Sequence, residues 1–201
     1  MHTEWRCDRC GPVPPWHVAE HVSAEIVGAA ATAAASGQPA IPLWCPWPLL
    51  PGWMATGVGW AGDDRDGVRA TALACSGPAP VGEGPADLVL IAEEPGVGLG
   101  MRFAGIEGLD PGPHLAEAME TTAAHAKVKA GGHPTALWAV TARDGRSAYV
   151  GEAKGLWLYA VAFPASAGYI LAEHVVLHDL TEWLPPELVY GAPSPYLHGH
   201  A

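Results

Sequence analysis

The chain is poor in basic residues. Lys and Arg together number 10 against 21 Asp and Glu, and the net charge is −11. Phosphate backbones and anionic membrane surfaces are gripped by basic patches, so this balance predicts neither a nucleic-acid nor a membrane partner. Cysteine is also scarce, at four in 201 residues, too few for a disulfide scaffold of this length. The opening MHTEWRCDRC carries no apolar leader, which predicts a soluble cytoplasmic protein. An uncharged, largely apolar run, Gly155 to Ala172, is broken by Pro164, Ser166 and Gly168 and reads as two buried strands rather than a membrane span. Several catalytic signatures are missing as well. There is no Gly-Lys-Ser/Thr phosphate loop, no Gly-x-Ser-x-Gly elbow and no second Cys-x-x-Cys.

What is present is an apolar fraction of 49%, with 25 Gly and 20 Pro, enough for one core divided by many turns. Three regions follow. Residues 1–15 carry Cys7 and Cys10 and end in prolines. Residues 16–37 are alanine-rich and predict a helix over Trp16–Ser36, acting as a packed element or a spacer. Residues 38–201 read as the main domain. Its opening, IPLWCPWPLLPGW, is too rich in proline for a regular ladder and predicts an extended segment across the core. Asp66-Gly67 and Asp144-Gly145 sit between strand-like runs and predict hairpin turns. ADLVLIAEE and GLWLYAVAF predict strands, and YILAEHVVLHDL reads as a strand rather than a helix. The expected fold class is α+β, mainly antiparallel sheet with few helices, preceded by a half zinc-ribbon segment and an Ala-rich helix.

Four groups of residues carry candidate chemistry. Cys7, Cys10, His17 and His21 have the spacing C-x2-C-x6-H-x3-H; on a helix the two histidines would share one face, as a zinc pair needs. The alternatives are an orphaned half-ribbon, which is the simpler reading, and a bare thiol pair. Zinc is the cofactor indicated, weakly held or absent if only two thiolates bind it. The second group is the turn after ADLVLIAEE, with Glu93 and Glu94 followed by Gly96, Gly98 and Gly100. Such a turn either leaves amides free for an anion or, the simpler reading, makes a glycine-rich hairpin or bulge with both glutamates solvated. The third is acidic and histidine-bearing: Asp63, Asp64 and Asp66, then Asp110 with His114 in a proline-stiffened DPGPH loop, then His125, Lys127 and His133. The spacing of DDRDG is that of a turn, not of a calcium loop. The fourth is Cys75, a nucleophile only if a base lies beside it and otherwise a buried core thiol. Tryptophans 44, 47, 53, 60, 138 and 157 are core or pocket lining.

The stretches Trp47–Trp53, AGDDRDGVRATALACSGP (61–78), DLVLIAEEPGVGLG (87–100), AGIEGLDPGPH (104–114) and EAKGLWLYAVAFP (152–164) carry a resemblance. They are similar to DUF6758, an actinobacterial family of unknown function, some of whose members bear the label phosphotransacetylase. The resemblance implies a second, upstream cysteine knuckle that this chain lacks, so Cys7 and Cys10 match the second pair only. The expected cause is a start set too far downstream, with Met1 an internal codon; true loss of the knuckle is the alternative. These observations favour a module that binds a small molecule or a protein. The alternative is an enzyme of acyl or phosphoryl transfer using the 96–100 turn with His114 or Cys75. The two differ in geometry: convergence of Glu93 or Glu94, His114 and Cys75 in one pocket favours the enzyme, and tryptophans facing an open groove favour the module.

Overall fold

The computed structural model describes residues 6–7, 11–172 and 175–197. At the start, β1 (Arg6–Cys7) pairs antiparallel with β2 (Gly11–Pro12). The body is one ten-stranded sheet. Its strands are β3 (Trp16–Val18), β4 (Trp44–Pro46), β5 (Met54–Asp63), β6 (Gly67–Pro78), β7 (Pro85–Glu93), β8 (Ala126–Ala130), β9 (His133–Val140), β10 (Ser147–Ala153), β11 (Leu156–Phe163) and β12 (Val176–Asp179). The order across the sheet is β3-β5-β6-β7-β11-β10-β9-β8-β12-β4. Every neighbouring pair is antiparallel except β8 and β12.

Two meanders, β5–β7 and β8–β11, meet where β7 pairs with β11. The hairpin turns fall where the Asp-Gly dipeptides place them. Asp63 pairs with Gly67 around one, and Arg143–Gly145 lies in the β9–β10 connection, where Gly145 takes a positive φ of 82°. The mainly antiparallel α+β expectation therefore holds, with one parallel pair among the described strands.

Both faces of the sheet are covered, and the sequence of β7 explains why. PADLVLIAE is apolar almost without alternation, and eight of its nine residues are buried. Leu88, Leu90 and Ala92 point to one core, Val89 and Ile91 to the other. The first core lies under α1 (Ala24–Ala35), β4 and the 3-10 helix Ala165–Ala172. Here β4 packs against β6 and β7, which buries Ile41, Leu43, Trp44 and Cys45, so the proline-rich segment does lie across the core. Contrary to expectation it also joins a ladder, Trp44–Pro46 pairing antiparallel with Leu177–Asp179 at the sheet edge, where proline is tolerated. The second core lies under α2 (Leu99–Ala104), Trp16, Tyr196 and Leu197, with α3 (Gly112–Thr121) at its margin through Leu115.

Three local expectations are corrected. The helix expected over Trp16–Ser36 is a strand and then a shorter helix. Trp16–Val18 pairs with Gly59–Ala61, and Ser23 starts α1 by accepting the N–H of Ile26 at 3.3 Å. Bulky Trp16 and β-branched Val18 suit the ladder, while the run of alanines begins only later. Val27, Ala30, Ala31 and Ala34 are buried, so α1 packs on β5 and β6. YILAEHVVLHDL is not one strand: its first residues end the 3-10 helix and only Val176–Asp179 is extended. DPGPH is not a free loop. Pro113 stands in the first turn of α3, where its missing N–H costs nothing, and His114 is therefore helical.

Candidate functional site

Glu93 ends β7 with its carboxylate turned into the second core, wholly buried. Its Oε2 accepts the N–H groups of Leu99 at 2.6 Å and Gly100 at 3.1 Å, closing the first turn of α2. The amides of the glycine turn are thus taken by the chain's own carboxylate, and the anion expected there is Glu93 itself. The glycines are steric necessities. Gly98 has φ +77°, and a Cβ on it would stand 2.5 Å from Leu109. A Cβ on Gly100 would stand 2.3 Å from the Tyr159 ring. Gly96, at φ +84°, meets nothing within 4 Å and serves the turn alone.

Glu93 is also uneasy. Burial pushes its pKa up to about 7, although the Gly100 and Leu99 amides and Tyr159 pull the other way. Asp110, from the loop before α3, adds like charge. Tyr159 sits close to the carboxyl, and its own pKa is raised by burial and by Glu93. Yet Tyr159 Oη, Glu93 Oε1 and Trp157 Nε1 are buried and lack hydrogen-bond partners among the described residues. Trp157 lies directly opposite Glu93 across the β7–β11 ladder.

The other expected residues disperse. Glu94 binds Arg69 on the surface at 2.7 Å. Asp110 Oδ1 accepts the Gly112 N–H at 2.7 Å. Cys75 points to the opposite core, wholly buried beside Cys45, whose thiol and the surrounding burial raise its pKa well above normal. A thiol so placed is a poor nucleophile, and the sheet separates it from Glu93 and the glycine turn. Asp63 caps its own hairpin by accepting the N–H groups of Arg65 and Asp66.

At the N-terminus, Cys10 and the Cys7 side chain lie outside the described residues. His17 is on β3, stacked on Trp60 at 5.6 Å with Nε2 3.2 Å from the Gly62 carbonyl, while His21 lies beyond the strand and is exposed. The two imidazoles therefore do not share a helix face. Among the described residues there is no group of three or more His, Cys, Asp or Glu arranged to hold a metal.

A further feature, which no sequence motif marks, is cationic. The β9–β10 turn folds against the C-terminal end of α2: Arg143 N–H donates to the Ala104 carbonyl at 3.0 Å and Arg146 Nη1 to the Phe103 carbonyl at 2.7 Å. This brings Arg102, Arg143 and Arg146 around a cleft of about 130 Å³. None of the three forms an ion pair among the described residues. Arg146 lies over the Phe163 ring at 5.0 Å, Phe163 stacks on Tyr196 at 4.0 Å, and Trp16 meets Phe103 edge-on at 5.9 Å. Arg146 Nε is buried with no partner. Desolvation, then the charge of Arg143, lowers the Arg146 pKa. The signal available in the sequence was scarcity. When only ten cations exist, three gathered on one cleft with no ion pair among the described residues are conspicuous, but neither pairing nor convergence is visible in a string of letters.

A second hollow, of about 290 Å³, is apolar and lined by Trp47, Trp53, Leu50, Leu88, Ile170 and Val176. Trp44, by contrast, is core, at 1% exposure.

A family model matches residues 1–197 and is described as a family of unknown function. The chain belongs to DUF6758. No curated protein and no solved structure matches this DUF6758 chain. No helix among the described residues is long and apolar enough to cross a membrane.

Proposed function

We propose that this DUF6758 protein is a binding module whose ligand is a small anion, received in the arginine cleft. One observation carries the reading: three arginines of an acidic chain converge on one cleft with no carboxylate partner among the described residues, and one of them buries an unsatisfied Nε. Gathering like charges costs free energy, and a buried charged donor without a partner costs more, so such an arrangement is explained by what it binds. The transfer-enzyme alternative gains no connected set of groups. Glu93, Gly98, Gly100 and Asp110 cluster, but Cys75 faces the other core and the glycine-turn amides are occupied. Tryptophans 47 and 53 lining an open hollow also fit a module. The N-terminal cysteine pair retains its half zinc-ribbon reading on spacing alone.

The test is thermal unfolding with phosphate, sulfate, citrate and acetate at constant ionic strength. A ligand present at 100 times its Kd adds about 2.7 kcal/mol, a rise in Tm of roughly 5–10 °C for a chain of this size. The rise should vanish in Arg102→Gln/Arg143→Gln. If every anion matches sodium chloride at equal ionic strength, the cleft is not a ligand site.

A further inference from the structure

Resting on that reading of the cleft, we infer that the group it receives is a doubly charged phosphoryl group, either free phosphate or the terminus of a small monoester, with Arg146 as its anchor. The first argument is charge. Arg102 and Arg143 use no side-chain nitrogen in a hydrogen bond among the described residues, and Arg146 uses only Nη1. Three guanidinium groups with so many free donors match a ligand with more than one negative charge and several acceptor oxygens. A carboxylate offers one charge and two oxygens; a phosphoryl dianion offers two charges and three oxygens.

The second argument is size. The cleft's volume is about 130 Å³, near the roughly 150 Å³ at which an apolar cavity takes up a benzene ring, so one tetrahedral oxyanion fits with limited space beside it. The aromatic pairs Trp16–Phe103 and Phe163–Tyr196 belong to the same lining, against which the organic part of a monoester would lie.

The third argument is orientation. Arg146 is held on two sides, by the Phe103 carbonyl at 2.7 Å and by the Phe163 ring beneath it. A guanidinium fixed in this way keeps its plane, and its Nη2, which makes no hydrogen bond among the described residues, is left to donate to an oxygen of the ligand. Lysine has the charge but neither the plane nor this second donor.

The experiment is calorimetric titration at pH 7.5 and fixed ionic strength with inorganic phosphate, phenyl phosphate, phenyl sulfate and benzoate. Phenyl phosphate and phenyl sulfate have nearly the same shape and differ by one charge, so the pair isolates the dianion. Phenyl phosphate should bind about tenfold or more tightly than phenyl sulfate or benzoate. Arg146→Lys should reduce that preference to less than about threefold while Arg102 and Arg143 still attract anions. Should Arg146→Lys fail to fold, Arg102→Gln, an exposed position, provides the second variant and should weaken phenyl phosphate more than phenyl sulfate. Phenyl phosphate binding more tightly than inorganic phosphate marks a monoester; equal binding marks free phosphate. Equal affinity for phenyl phosphate and phenyl sulfate, or a preference unchanged in the variant that folds, overturns this inference and leaves the anion module standing. No binding by any of the four overturns both.

Discussion

Two groups of charges lie at different places on this sheet, and the fold treats them in opposite ways. At the end of β12, Lys154 donates to Asp179 at 2.7 Å and to Glu182 at 2.5 Å. Asp179, 2% exposed, also accepts the Leu43 N–H at 3.1 Å and the N–H and hydroxyl of Thr181. Every charge there has a partner inside the chain. In the arginine cleft no charge has an acid among the described residues. Both groups join distant segments, one holding β4 to β12 and the other the β9–β10 turn to α2. A saturated network has nothing left to bind with and is structural. An unsaturated one leaves donors for something outside the chain.

This contrast predicts that damage to the first group appears as instability. Asp179→Ala leaves Lys154 with Glu182 but strands the amides of Leu43 and Thr181, and lost buried acceptors cost about 1–3 kcal/mol each. Tm should fall by roughly 5–10 °C, while phosphate affinity at 25 °C stays within about twofold. Denaturant unfolding and calorimetry check the two halves. A loss below about 1 kcal/mol would show that Asp179 is no more structural than a surface acid.

Glu93 sharpens the comparison, because it is a buried charge only half provided for. Its pKa is raised in the fold, so the native state binds the proton more tightly than the unfolded chain. Stability from this group is therefore present below its unfolded value, near 4.5, and is lost as pH rises through about 7. Glu93→Gln keeps an oxygen for the Leu99 and Gly100 amides and removes the charge. Relative to wild type, it should become more stable by about 2–3 kcal/mol between pH 5 and pH 8. A constant difference across that range would mean that Glu93 does not titrate there.

The smallest effect concerns zinc. His17 is engaged with Gly62 and Trp60, and His21 does not lie beside it on a helix. Purified protein should hold less than one zinc per chain, and His17→Ala should leave that content unchanged. Metal analysis giving one zinc, lost in this variant, would restore the four-ligand site.

Much of the fold was legible because it is written locally. The Asp-Gly turns, the apolar run of β7 and the proline-rich 40–53 segment each carry their own conformational reason. The start of the helix was not, because Trp16–Val18 is extended only by virtue of pairing with β5. The glycine turn stood out, but the simpler reading left Glu93 solvated and the structure buries it, since a donor-rich turn looks the same whether its amides await a ligand or are taken by a neighbouring carboxylate.

The sequence by itself determined an antiparallel, turn-rich domain, an acidic surface and membership of its family, because composition, propensity and motif are properties of the chain read in order. Only the tertiary structure decided which charges are paired. Arg102 lies 41 residues from Arg143 and Asp179 lies 25 from Lys154, and nothing in that spacing says that the second pair forms an ion pair while the first faces an open cleft. Coulomb energy depends on distance in space and on burial, and both are set by the docking of α2, the β9–β10 turn and the C-terminal segment on one face of the sheet.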